Sequence, residues 1–233
     1  MRKTIIALFD RIEFPVLLAG VVVAGGLWGF LELTEVARDA TPHSLDTQIL
    51  LAFREAGQPD NPIGSPRVEG MVRDFTALGS SAVLTLITAA VAIYLFLARR
   101  AATALYVLAV IGGGQILGSL LKLGVDRPRP ELVSHLAAET SLSFPSGHAM
   151  LSAVTYLTLA LLAGRFVAGR AIRLYLLALG VLVTLLVGAS RLYLGVHWPS
   201  DVLAGWCAGF AWAMLCWLAA RFMARRGPDD GSN

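Results

Sequence analysis

Polar residues in this chain gather at the ends of six apolar runs, residues 14–31, 75–98, 101–121, 149–164, 174–190 and 202–220. Each run holds about 16 to 24 residues, which brackets the roughly 20 needed to cross the hydrocarbon of a bilayer as a helix. A single run of this kind suits a buried core helix; six in succession predict an all-α, polytopic membrane protein built as a six-transmembrane-helix bundle. Residues 32–74 form the longest polar segment, and Pro42, Gly57, Pro62, Gly64, Pro66 and Gly70 make much of it loop. Inside it, Leu45, Ile49, Leu50 and Phe53 recur at near-helical spacing after Ser44, a natural N-cap. That spacing predicts a short amphipathic helix over 45–56, either lying on the outer membrane surface or packed as an ordinary connector. No internal repeat breaks the pattern, so residues 1–226 read as one domain, and 227–233 as a disordered tail.

Composition sharpens this picture. The 233-residue chain is 56% hydrophobic and 15% charged, with a mean hydropathy of +0.68, which argues against a soluble protein. Arg2 and Lys3 resemble the start of a secretion signal, but Asp10, Arg11 and Glu13 interrupt the apolar stretch that should follow, so the first span is expected to stay as an anchor. Six spans put both termini on one side, together with the loops holding Arg99-Arg100 and Arg165, Arg170 and Arg173. That side carries 11 Lys and Arg against 4 Asp and Glu; the opposite side carries 8 against 12. The bias of Lys and Arg toward the cytoplasm then places both termini inside, with the protein in the plasma (inner) membrane. The overall charge of +3 is therefore an insertion signal; without basic and aromatic residues interleaved it does not indicate a nucleic-acid partner. Cys207 and Cys216 sit nine residues apart in the last span, on opposite helix faces, and read as small apolar packing groups. Gly114 and Gly118 form a small-xxx-small pair that permits close helix approach.

Three polar clusters remain: Lys-Leu-Gly-Val-Asp-Arg-Pro-Arg-Pro over 122–130, Pro-Ser-Gly-His over 145–148, and Ser-Arg-Leu-Tyr-Leu-Gly-Val-His-Trp-Pro-Ser-Asp over 190–201. The topology puts all three on the outward face. In the first, Lys122 offers a point charge and Arg129 a planar fork for phosphate oxygens, held by Pro128 and Pro130. Arg127 reads as a bystander that snorkels to headgroups. In the second, Ser146 is a natural N-cap and Gly147 lets an anion approach the first free N–H groups of a helix. His148 is then placed to give or take a proton near neutral pH. In the third, Pro199 suits a first helical turn and Asp201 falls in that turn, able to fold back onto one ring nitrogen of His197 and leave the other as a nucleophile. The alternative is an acid complementing the helix dipole beside an interfacial histidine. Arg191 supplies a further phosphate contact. His43 and His135 receive no role. Two histidines and an aspartate suggest zinc, yet no close ligand pair exists and three cations around the site would repel it, so no metal and no cofactor is expected.

Lys-x6-Arg-Pro, Pro-Ser-Gly-His and Ser-Arg-x5-His-x3-Asp, in this order, resemble the signature of the type-2 phosphatidic acid phosphatase superfamily, in its membrane-integral branch. Every position is present: Lys122, Arg129, Pro130, Pro145, Ser146, Gly147, His148, Ser190, Arg191, His197 and Asp201. The resemblance implies a metal-independent lipid phosphatase at the outer membrane face. It implies that His197 attacks phosphorus and forms a phosphohistidine, that Asp201 orients it, and that His148 protonates the leaving oxygen and then activates water. Lys122, Arg129, Ser146, Gly147 and Arg191 would hold the phosphate. Implied substrates are lipid phosphates such as undecaprenyl diphosphate, phosphatidylglycerophosphate and phosphatidate. Capture of the phosphohistidine by a lipid or sugar hydroxyl, a phosphotransferase, is the alternative. Vanadate haloperoxidase chemistry uses a similar site in soluble enzymes and is disfavoured by six spans; a transporter or scaffold would not need intact motifs.

Overall fold

Each apolar run becomes a helix because a bilayer offers the backbone no other hydrogen-bond partner. The structure, a computed structural model, describes residues 14–39, 41–137 and 141–225. In chain order the elements are α1 (Phe14–Arg38), α2 (Ser44–Leu51), β1 (Arg54–Glu55), β2 (Gln58–Pro62), α3 (Pro66–Ala77), α4 (Ser81–Leu97), α5 (Ala101–Lys122), α6 (Gly147–Gly164), α7 (Arg170–Tyr193) and α8 (Pro199–Arg225). Helices α1 and α5 to α8 are each long and apolar enough to span a membrane alone. The sixth span is α4, which passes the same test together with α3, bent 48° from it. The tail expected over 227–233, and Arg2, Lys3, Asp10, Arg11, Glu13, Arg226, Asp229 and Asp230 of the charge pattern, lie outside the described residues.

The bundle is organised on α6, whose span is 61% buried, the largest share of the five. Helix α8 lies between α6 and α1, and α7 covers the other side of α6. Glycines set the closest approach. A Cβ at Gly205 would stand 2.6 Å from the Ser146 carbonyl oxygen, and one at Gly209 would stand 2.6 Å from the Met150 carbonyl oxygen. The α6 and α8 backbones therefore touch, as small residues allow in lipid. On α5, Gly114 meets Val154 and Gly118 meets Met150, so the expected small-residue pair does face a neighbouring helix. Cys207 packs against Gly29 of α1 and Cys216 against the core between α4, α5 and α6.

The polar segment departs from expectation in three ways. Helix α2 ends at Leu51 rather than 56, because Arg54 and Glu55 turn into a short antiparallel hairpin with 58–62. Its N-cap is His43, whose Nδ1 accepts from the Leu45 N–H at 3.3 Å, not Ser44. Its buried residues are Asp46 and Leu50, one turn apart, while Leu45 and Ile49 are exposed. Of the expected apolar face, Leu50 and Phe53 pack inward, while Asp46 takes the place expected for Leu45 and Ile49. The second span also starts later than residue 75: Phe75 and Thr76 close α3, and Ser80 caps α4 by accepting from the Val83 N–H.

Candidate active site

The C-terminal ends of α5 and α7 and the N-terminal ends of α6 and α8 meet at one end of the bundle, and each brings part of a cluster. Lys122 is the last residue of α5; its Nζ donates to Ser141 Oγ at 2.9 Å and to the Leu142 carbonyl at 3.2 Å. Arg129 donates from Nε to the Ser141 carbonyl at 2.9 Å and from one terminal nitrogen to the Val196 carbonyl at 2.5 Å. That same nitrogen lies 3.3 Å from His197 Nε2. The two cations therefore converge on one stretch of loop, and Arg129 joins the first cluster to the third. The turn that aims it is tied down by His135, whose Nε2 lies 2.6 Å from the Pro130 carbonyl, and by Trp198, whose ring N–H donates to the Pro128 carbonyl. His135 thus has a structural job that its loop position did not reveal.

Ser146 and Gly147 open α6 as expected, with Ser146 at the N-cap. The Ser146 hydroxyl does not cap: it is buried, with no hydrogen-bond partner. A buried hydroxyl in that condition is costly unless a ligand completes it. A Cβ at Gly147 would come to 3.8 Å from Lys122 Cε, so the lysine stem runs past the glycine. His148 follows, half-buried, and its backbone lies against Gly79 in the α3–α4 joint. From α7, buried Arg191 donates to Thr76 Oγ1 at 3.0 Å, at the end of α3.

Asp201 occupies the third position of α8, after Pro199, and reaches back to accept from the Trp198 N–H at 2.8 Å. This is the acid half of a capping box. The same oxygen accepts from Ser143 Oγ and lies 3.6 Å from His197 Nδ1, just beyond hydrogen-bond reach. Ser143 Oγ is itself 3.4 Å from that ring nitrogen. Arginine can only donate, so the Nε2 beside Arg129 is the unprotonated nitrogen and Nδ1 carries the hydrogen toward Asp201. The His197 ring is 1% exposed. Burial, reinforced by the Arg191 and Arg129 charges and opposed by Asp201, lowers its pKa from 6.5 to about 4. A neutral imidazole with a bare Nε2 among cations is suited to attack an electrophile carrying negative oxygens.

Arg127 is not a bystander. It is 5% exposed and donates to Asp201 Oδ1 at 2.7 Å, to Asp46 Oδ2 at 3.0 Å and to Ser200 Oγ at 2.7 Å. Asp46 in turn accepts from the Ser200 N–H at 2.9 Å and from its hydroxyl. Buried charge is tolerated only when paired and hydrogen-bonded, and here every partner is another member of the same network. Asp46, Ser143 and Ser200 complete the support of Asp201, and sequence reading singled out none of them. One signal existed for Asp46: it shares a helical face with Leu50 and Phe53. Among the described residues no group of three or more His, Cys, Asp or Glu gathers as a metal site.

Comparison with known proteins identifies the family. The family model described as PAP2 superfamily matches residues 103–224. The phosphatidylglycerophosphatase B of Bacillus subtilis is 35% identical over 150 residues, covering 63% of this chain and 72% of that protein. An undecaprenyl-diphosphatase of Sulfolobus acidocaldarius is 40% identical over 70 residues, covering 30% of each chain. The crystal structure of a transmembrane PAP2-type phosphatidylglycerolphosphate phosphatase from Bacillus subtilis superposes with a TM-score of 0.78 at 27% identity, over 90% of this chain and 99% of that one.

Proposed function

The chain belongs to the PAP2 superfamily, and from that premise we propose that it is an integral-membrane phosphatase acting on a lipid phosphate or diphosphate at the outer membrane face. The observation that carries this reading is the contact of Arg129 with His197 Nε2 at 3.3 Å, with Asp201 behind the ring. A phosphate bound between Lys122, Arg129 and Arg191, at the opening of α6, would place its phosphorus before Nε2. Nε2 attacks in line, the bond from phosphorus to the lipid oxygen breaks, and His148 gives its proton to that oxygen. His148 then takes a proton from water, water attacks the phosphohistidine, and inorganic phosphate leaves with Nε2 restored. Lys122, Arg129, Arg191, the Ser146 hydroxyl and the Gly147 N–H offset the charge that builds on the oxygens. Asp201 holds the Nδ1–H tautomer and stabilises the cationic ring that forms during transfer. No step calls on a metal.

In this reading the fold is one six-span domain with both termini cytoplasmic and the site outside. The short arginine-bearing loops opposite the site support that orientation, and a C-terminal reporter active only in the cytoplasm should give signal. Activity is tested with purified protein in detergent, measuring phosphate released from phosphatidylglycerophosphate, phosphatidate and undecaprenyl diphosphate. At least one is hydrolysed, His197→Ala and His148→Ala each lower the rate by roughly 10²–10⁴-fold, and EDTA leaves it unchanged. Full activity of His197→Ala would remove the nucleophile assignment; inhibition by EDTA, reversed by added metal, would contradict the metal-free mechanism.

A further inference from the structure

Arg54 opens β1 and is 5% exposed, yet all its donors go to neutral backbone carbonyls. Its Nε donates to Pro59 at 3.1 Å, one terminal nitrogen to Phe53 at 3.2 Å and to Tyr193 at 2.9 Å, and the other to Ser134 at 3.5 Å. Burying a cation without a bonded carboxylate is costly. Part of the cost is offset because Tyr193 is the last residue of α7, where carbonyls without helical partners make the helix end partially negative. That accounts for a cation at Tyr193. It does not call for a planar fork that also reaches Ser134, on a different segment of the chain.

The two segments that the fork spans are those that carry the site. Tyr193 stands four residues before His197, and between them Val196 gives its carbonyl to Arg129. Ser134 stands four residues after Pro130, and its neighbour His135 holds the Pro130 carbonyl beside Arg129. A backbone bond from the Leu136 N–H to the Leu194 carbonyl, 3.0 Å long, joins the segments, and Arg54 fills the space beside it. Gly195, at φ +73°, leaves no room there: a Cβ would stand 2.6 Å from the Arg54 nitrogen and 2.9 Å from the Ser134 carbonyl oxygen. The guanidinium is therefore both tie and spacer at the turn leading into His197. The hairpin that carries it is anchored on both sides, by the Ser134 hydroxyl donating to Asp60 at 2.5 Å and the Tyr193 hydroxyl donating to the Ile63 carbonyl at 2.9 Å.

We propose that Arg54 is a positioning residue: by holding the α7–α8 turn and the loop after Pro130 at one spacing, it sets the 3.3 Å relation of Arg129 to His197 Nε2. It acts through those two residues and is not itself among the phosphate ligands. The proposal rests on the phosphatase reading above and extends it to the hairpin, which lies outside residues 103–224 matched by the family model. A purely architectural tie costs stability alone. A positioning tie also costs turnover in protein that stays folded, since displacing a reacting group by about 1 Å can lower a rate by roughly a hundredfold.

The test compares Arg54→Met, Arg54→Lys and Tyr193→Phe in the full chain, on whichever of phosphatidylglycerophosphate, phosphatidate and undecaprenyl diphosphate wild type turns over fastest. Tyr193→Phe removes the hydroxyl tie to Ile63 and leaves the backbone of the turn alone, so it is expected to lower the melting temperature and keep kcat. Arg54→Met should lower kcat roughly ten- to hundredfold, with a smaller change in KM. Arg54→Lys keeps the charge at the end of α7 without the planar fork; it should fold where Arg54→Met does not, and still lose kcat. Wild-type kcat in the folded Arg54 variants, or equal kcat losses in Tyr193→Phe and Arg54→Met, would overturn the proposal. The ¹⁵N signals of the His197 ring in micelles keep the two readings apart. An Nε2 signal that moves in the Arg54 variants and stays in Tyr193→Phe supports the positioning role even if no lipid is turned over; an unmoved signal refutes it whatever the activity.

Discussion

Arg127 places one positive charge between two carboxylates, Asp46 at 3.0 Å and Asp201 at 2.7 Å, in a space nearly closed to solvent. From the sequence it looked like a lipid-facing cation, since the residue that explains it lies 81 positions away in a segment without motifs. His197, Asp201 and Lys122 were legible because spacing brings each to a helix end, and Arg129 because two prolines flank it in the loop after Lys122. Arg127 and Asp46 were not, because buried pairing is a property of the fold. Removing one member leaves a buried charge unmatched, at a cost of about 3–5 kcal/mol. Arg127→Leu is therefore expected to lower the thermal midpoint sharply. Asp46→Asn keeps most hydrogen bonds while removing a charge, so it should fold, and lower kcat more than it changes KM by loosening Arg127 on Asp201. An Asp46→Asn protein with wild-type kcat would show that Arg127 is held well enough without it.

The burial of His197 makes a second prediction at this scale. Its folded pKa of about 4 lies below the ordinary 6.5. Above pH 6.5 both folded and unfolded chains hold the ring neutral, and His197 adds no pH dependence. Between 6.5 and 4 the unfolded chain takes up a proton that the folded one refuses, so stability declines as pH falls through this window. Histidine ring NMR in micelles should find His197 neutral at pH 5.5. A ring that titrates near 6.5 would contradict both the burial and the poised nucleophile.

Hydropathy located the six long helices well because the bilayer leaves the apolar runs no alternative, but it passed over the break between α3 and α4. Leu78, Gly79 and Ser80 lie inside an apolar run, where nothing in the hydrophobic pattern marks an end. The break is imposed by packing: a Cβ at Gly79 would fall 2.3 Å from Val187 Cγ1, and Tyr156 on α6 donates its hydroxyl to the Leu78 carbonyl at 2.8 Å. This joint also delivers Thr76 to Arg191 and backs His148, so a helix outside the matched family region supports the site. Likewise Gly205 and Gly209 form a Gly-xxx-Gly pair that holds α8 on α6, and thus His197 and Asp201 beside Ser146. Gly209→Val would drive side-chain atoms into the α6 backbone and is expected to destabilise by roughly 1–3 kcal/mol or more, with activity falling as α8 shifts. Gly20→Ala, where an added Cβ would meet nothing within 4 Å, should leave the melting temperature unchanged or slightly raised; equal losses from the two substitutions would refute close packing as the cause.

Across the whole molecule, alternation of six spans explains why residues 122, 148, 191 and 197, far apart in sequence, share one end of the bundle. The number of spans was readable because the apolar runs are a linear feature of the sequence. Contacts from 32–74 were not: spacing predicts the short helix, but neither the hairpin nor the burial of Asp46 has a periodic signature. The proposed mechanism turns on a covalent bond between His197 Nε2 and phosphorus. Rapid acid-free quenching of the protein with a lipid carrying ³²P in its terminal phosphate tests it directly. The expected result is a protein-bound label that is stable to base, lost in acid, located on the peptide containing His197, and absent from His197→Ala. Continued phosphate release by His197→Ala, or a label residing on another residue, would contradict it.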